Sequence, residues 1–162
     1  VAALGTLSAC ATPQTASMAE MAAIDRQADR SAVVDQVRAY IDSINSGDIA
    51  LAKTVWSPDS ANISFISAAG ISVGWPQVER NVHVFFRDAF SARNMTLASE
   101  PVVQFHGDTA VVLFIWNFDG TFRDGRELHT RGGRESQVFE KIPGLGWRLI
   151  HAHYSVPPQA GD

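Results

Sequence analysis

One cysteine in 162 residues, Cys10, excludes an intrachain disulfide. Cations are scarce and scattered: 13 Lys and Arg stand against 17 Asp and Glu, for a formal charge of −4, and they form no run. Nucleic acid needs clustered cations to neutralise phosphates, so it is not an expected partner. After the opening residues no apolar stretch is long enough to span a bilayer. The sequence also lacks a P-loop, a Gly-x-Ser-x-Gly motif and any Cys or Ser nucleophile beside a base. What is present suits one folded domain: 46% hydrophobic and 19% charged residues, enough for a core.

The opening VAALGTLSACATPQTASMAE carries no charge before Glu20. VAALGTLSA reads as the end of a secretory apolar region. Leu7, Ser8, Ala9 and Cys10 resemble the bacterial lipobox, whose cysteine becomes lipidated. The expected division is 1–9 as signal remnant, 10–21 as tether, 22–157 as domain and 158–162 as tail. The expected location is the periplasmic side of the bacterial envelope, held to the membrane only by a lipid on Cys10. Ala11 after the cysteine favours the outer membrane. The plainer alternative is an Ala-rich tail with a chance cysteine.

Ser17 and Glu20 have capping-box spacing, which predicts a long helix ending near Ser46. Val37, Ile41 and Ile44 form its apolar stripe, with Gly47 as stop and Asp48 as the next cap. Residues 48–56 predict a short second helix and 61–67 an alternating strand. Residues 68–75 read as a turn with a brief extended piece. Pro76 opens a third helix over 76–90, with Val78, Val82, Phe85, Phe86 and Phe90 on one face. From Met95 onward four strands with Gly-Asp, Asp-Gly and Pro-Gly-Leu-Gly turns predict an antiparallel meander. AVVLFIWNF (110–118) is apolar on both alternating faces, so both should be covered, one by helices and the other by a second subunit.

Helices first and a long antiparallel sheet afterwards make an α+β fold. The order helix, Gly-Asp, helix, strand, helix, four strands resembles the cone-shaped fold of nuclear transport factor 2, SnoaL-like cyclases and ketosteroid isomerases. AYIDSINSGDIALAKTVWSPDSANISF is similar to the isomerase segment that carries a catalytic Tyr. GWRLIHAHYS is similar to the last strand of the group that includes the kinase II association domain. The resemblance covers roughly 22–156 and implies three helices against a curved sheet, enclosing an apolar pocket.

Carried over by residue, the resemblance makes Tyr40 the catalytic phenol and Glu135, four residues before Phe139, the donor acid. In the isomerases such donors stabilise an enolate oxygen in a dry cavity, and that enzyme is the standard example of a carboxyl kept neutral by apolar surroundings. The proton-moving Asp has Ser64 in its place, a poor base, so steroid isomerisation is not expected. Tyr40 is equally readable as a core Tyr bonded to a carbonyl or to Glu135, and Glu135 as a surface residue. On simple alternation Arg131 shares a face with Glu135 and could hold an anion, or else pairs with a surface acid. In the last strand the resemblance turns Ile150, Ala152 and Tyr154 inward and Trp147, His151 and His153 outward. His151 and His153 lack an evident third metal ligand beyond His129.

Three readings follow. One is a lipoprotein binding a small, partly apolar molecule through Tyr40, Glu135, Ser64, Arg131, Ile150 and Tyr154. Another is an isomerase, dehydratase or cyclase using Tyr40 and Glu135 as oxyanion donors. The third is a non-catalytic dimerisation module. Each includes a homodimer through the outer sheet face, with no metal and no cofactor.

Overall fold

The computed structural model describes residues 17–157. The signal remnant, Cys10, most of the expected tether and the tail 158–162 lie outside the described residues. Among those described, no helix is long and apolar enough to cross a membrane.

Helix α1 spans Met18–Ser46, so it begins inside the stretch expected as a tether. Its second half buries Val33, Val37, Tyr40, Ile41 and Ile44, the one-sided stripe that a 3.6-residue period produces. Its first half leaves Met18, Met21 and Ile24 exposed and is held by polar contacts at its inner end. Asp29 accepts hydrogen bonds from Lys141 Nζ (2.7 Å) and Trp147 Nε1 (3.0 Å). Gly47 at φ 70° ends the helix by donating to Ser43 O, the left-handed stop that glycine takes without strain. Asp48 then accepts from Leu51 N and caps α2, Ile49–Val55.

Strands β1 (Ser64–Ser67) and β2 (Gly70–Val73) form a hairpin. The third helical segment has three parts: α3 (Trp75–Val78), a π-helical turn (Glu79–Val84) and α4 (Phe85–Ala89). Phe90 does not continue that helix. It starts β3, Phe90–Leu97, and packs into an aromatic cluster with Phe86, Phe118 and Phe122. The single strand expected after Met95 is in fact the end of β3 and a separate β4, Val102–His106; both pair with β5, Thr109–Phe122. Strands β6 (Glu127–Ile142) and β7 (Gly146–Ser155) complete the meander.

The sheet order is β2-β1-β7-β6-β5-β3, with β1 parallel to β7 and the other pairs antiparallel. The result is the expected α+β architecture: three helical segments on the concave side of a curved, open sheet. One face of β5 is core, with Ala110, Val112, Phe114, Trp116 and Phe118 buried. The other leaves Leu113 and Ile115 each 43% exposed, so the described residues cover only one face of the strand.

Two bulges correct the sequence reading. In β6 the pairing jumps from Thr130 opposite Phe118 to Gly133 opposite Trp116. Gly132, at φ 69°, takes the slack and donates to Asn117 Oδ1 (3.1 Å). An extra residue reverses parity. Thr130 therefore turns inward and Arg131 turns outward, where it binds Asp119 (2.6 Å). In β7 the pairing skips Ile150. Trp147 and Leu149 are buried before the bulge, and Ala152 after it. Trp147 is thus core, packed on Phe105, and not an outward residue.

A cone with one buried carboxyl

Side-chain hydrogen bonds tie the ends of α1 and α4 to β3. Asn45, in the last turn of α1, grips β3 twice: its Nδ2 donates to Met95 O (2.9 Å), and Met95 N donates to its Oδ1 (2.6 Å). Arg93 donates to the carbonyls of Asn45, Phe86, Arg87 and Phe90. These bonds satisfy carbonyls that the ends of α1 and α4 leave open, and they fix α4 beside β3.

Between α1, α4 and the sheet lies a hollow of about 230 Å³. Its apolar wall comes from Ile44 of α1, Phe65 of β1, Phe85 and Phe86 of α4, Met95 of β3, and Trp116 and Phe118 of β5. Tyr40, Thr130, Glu135 and Tyr154 supply its polar atoms. Such a wall with few polar groups is the usual make-up of a small-molecule site.

Among the described residues on that wall, Glu135 is the only one of a charged type. Its Oε1 accepts from Gln137 Nε2 (2.8 Å), and Tyr40 hydrogen-bonds the same carboxyl. Among the described residues no cation lines the hollow with it. Burial pushes the carboxyl up to about 8, although the bonds from Gln137 and Tyr40 pull the other way. At neutral pH the acid is therefore mostly protonated and can donate. Tyr40 is held well above the ordinary phenol range, first by burial and then by the carboxyl beside it. Tyr154, opposite Glu135 in the β6–β7 register, is raised by burial and partly eased by a hydrogen bond with Ser67.

The structure thus brings Tyr40, Glu135 and Tyr154 together at one hollow and sends the other sequence candidates elsewhere. Ser64 is on the opposite face from Phe65, with its Oγ 2.8 Å from His151 Nδ1. Arg131 is outside on Asp119, and Ile150 sits in the β7 bulge away from the hollow's wall. His129, the nearest third ligand in sequence for a metal at His151 and His153, is bound to Asp119 (2.6 Å) and Glu127 (3.3 Å).

Thr130 and Gln137 were not anticipated. Gln137 was legible: two residues past Glu135 on a strand, it must share its face. Thr130 was not, because only the bulge turns it inward. In the sequence His83 lies between Val82 and Val84, neighbours that do not fix its face. It is buried in the π-helical turn, where Nε2 accepts from Trp56 Nε1 (3.0 Å). That bond requires the neutral ring with its proton on Nδ1. Tyr40 meets the ring edge-on at 6.2 Å and Trp75 packs beside it at 5.8 Å.

Burial lowers His83 to about 4. Between its unfolded value of 6.5 and 4 the unfolded chain binds a proton that the folded chain refuses, so stability falls as pH falls. Wild type should lose about 2 kcal/mol more than His83→Gln between pH 7 and pH 5. Urea unfolding at both pH values measures it, and equal losses would show the ring charged in the fold.

A SnoaL-like domain model matches residues 33–159. No curated protein matches. Among solved structures, an NTF2-like superfamily protein from Salmonella enterica serovar Typhimurium is 36% identical with a TM-score of 0.78, covering 84% of this chain and 96% of its own. The CaMKII hub of S. rosetta is 28% identical with a TM-score of 0.63, covering 78% and 95%. A candidate dehydratase of the NTF2-like family from Streptomyces avermitilis shares the fold at 18% identity, with a TM-score of 0.70 and coverage of 82% and 99%. With the domain match spanning most of the chain and the cone built as those relatives build it, this protein belongs to the SnoaL-like family of the NTF2-like superfamily.

Proposed function

We propose that the cone binds a small, largely apolar molecule through one acceptor oxygen, held by the protonated Glu135 with Tyr40 behind it. The observation that carries this reading is a buried carboxyl, with no described cation beside it, on the wall of an otherwise apolar hollow of about 230 Å³, where burial favours its neutral form. A charged carboxylate there would repel a carbonyl oxygen, whereas a neutral acid donates to it in a dry site.

The dependence on protonation makes the test. An aryl ketone such as 1-tetralone, titrated calorimetrically, should bind about tenfold more weakly at pH 9 than at pH 7, because only the protonated acid donates. In Glu135→Gln that pH dependence should vanish. Binding that ignores both pH and the substitution would sink the reading.

A second reading is favoured by one observation. An acid with a pKa near 8 is poised to give up a proton at neutral pH, which suits an isomerase, dehydratase or cyclase that uses Tyr40 and Glu135 toward an oxyanion. The dehydratase candidate among the structural relatives agrees with this in kind. Turnover of a bound hydroxy-ketone separates catalysis from simple binding. We place a second copy of the chain over the outer face of β5, where Leu113 and Ile115 are bare. The lipid anchor at Cys10 and the envelope location rest on Leu7–Cys10 alone.

A further inference from the structure

We infer that the ligand is an amphipathic carboxylic acid: its apolar, carbonyl-bearing end sits in the cone, and its carboxylate meets Arg80 in a polar antechamber under the β1–β2 hairpin. This rests on the cone-binding reading above and adds the other half of the molecule.

Two further hollows lie beside the cone, beyond Phe65 and Tyr154. Those two residues, with Phe85 and Phe86, also wall a second hollow of about 160 Å³. That hollow in turn shares Phe65, Ser67, Ala69, Asn81 and Phe85 with a third, of about 350 Å³, which opens between the hairpin and the π-helical turn. The chemistry changes across these three hollows. The cone is apolar around one neutral acid, while the outer chamber adds Ser72 and Arg80 to Ser67 and Asn81.

Among the described residues, Arg80 is the only charged one on the antechamber wall, and it forms no ion pair with any of them. Its position is nonetheless held. Arg80 Nε donates to Asn81 Oδ1 (3.3 Å), and Asn81 Nδ2 donates to Ser72 Oγ (3.0 Å) on the hairpin. The terminal nitrogens of the guanidinium are left for a carboxylate, which a planar fork takes with two parallel hydrogen bonds. Both residues belong to the π-helical turn, whose wider winding re-aims side chains and recurs at functional sites. Glu135 and Arg80 thus stand at the two ends of this row of hollows, an acid in the apolar one and a cation in the polar one. A ligand matching both has a neutral acceptor, an apolar span and an anionic terminus.

The test uses ω-benzoylalkanoates of increasing chain length against the matching primary alcohols, titrated calorimetrically into wild type and Arg80→Gln. Arg80 is exposed, so its substitution leaves the core intact. We expect one chain length at which the acid binds wild type at least tenfold more tightly than its alcohol, a preference that weakens with salt. In Arg80→Gln the acid should fall to the level of the alcohol, and the alcohol should bind as before. If acid and alcohol bind alike in wild type, or if the preference survives in Arg80→Gln, the antechamber assignment is overturned while the cone reading stands. If neither ligand binds wild type at any length, the cone reading fails and this inference fails with it.

Discussion

Glu135→Gln should gain about 3 kcal/mol of stability relative to wild type on going from pH 5 to pH 8. The carboxyl sits at about 8 in the fold against an ordinary value of 4.5. Between those values the folded chain keeps a proton that the unfolded chain has released. Stability due to this group is therefore complete below pH 4.5, is lost as pH rises toward 8, and stays lost above it. Gln cannot ionise, so that loss is absent from the variant, and Gln still accepts from Tyr40 and Gln137. Urea unfolding of both proteins at pH 5, 6.5 and 8 gives the comparison. Parallel profiles would mean that Glu135 is already ionised in the fold, and the neutral donor at the heart of the binding proposal would be gone.

His83 supplies the opposite slope over part of this range. It destabilises the fold as pH falls from 6.5 toward 4, while Glu135 destabilises it as pH climbs from 4.5. From 4.5 to 6.5 the two effects cancel. The pair leaves wild type a plateau there, with the Glu135 loss showing alone above pH 6.5. Each substitution should uncover the slope of the other.

Gly133→Ala should cost about 2–3 kcal/mol through overpacking and should abolish ketone binding in the cone. Gly133 pairs with Trp116 across β5 and β6, and the indole lies flat over it. A Cβ there would fall inside the indole's Cε2, Cζ2 and Cδ2 atoms, far closer than real side chains approach. The strand backbone cannot yield without breaking its ladder, so the indole must shift on the hollow's wall, where it meets Tyr154 edge-on at 5.9 Å. A lower urea midpoint, a shifted tryptophan emission and lost 1-tetralone binding are the joint readout. Gly125→Ala is the control: nothing lies within 4 Å of its added carbon, so only the cost of its positive φ should appear. Wild-type stability and binding in Gly133→Ala would mean that the hollow does not depend on this close approach.

The apolar stripe on α1, the Gly47 stop and the Asp48 cap are local signals, and they placed Tyr40 on a buried face before any tertiary contact was known. Glu135 is nominated by the family resemblance, four residues before Phe139, with a surface position left open, and its burial on the inner face of β6 comes from the structure. Alternation holds only while the ladder is regular. One extra residue near Gly132 turned Thr130 in and Arg131 out, and one at Ile150 made Trp147 core and carried Ile150 off the hollow's wall. A two-residue period has no memory across a bulge, and whether a given glycine creates one depends on the partner strand.

The sequence by itself determined the α+β order, the buried face of α1 and the two donors that a cone of this family would enclose, because each follows from spacing within one segment or from a family pattern. Only the tertiary structure decided that the carboxyl is left without a cation, that Ser64 answers to His151, and that a polar chamber ending at Arg80 adjoins the cone. Those outcomes depend on which strands meet and in what register, and a charge has no fixed protonation state until the groups around it are in place.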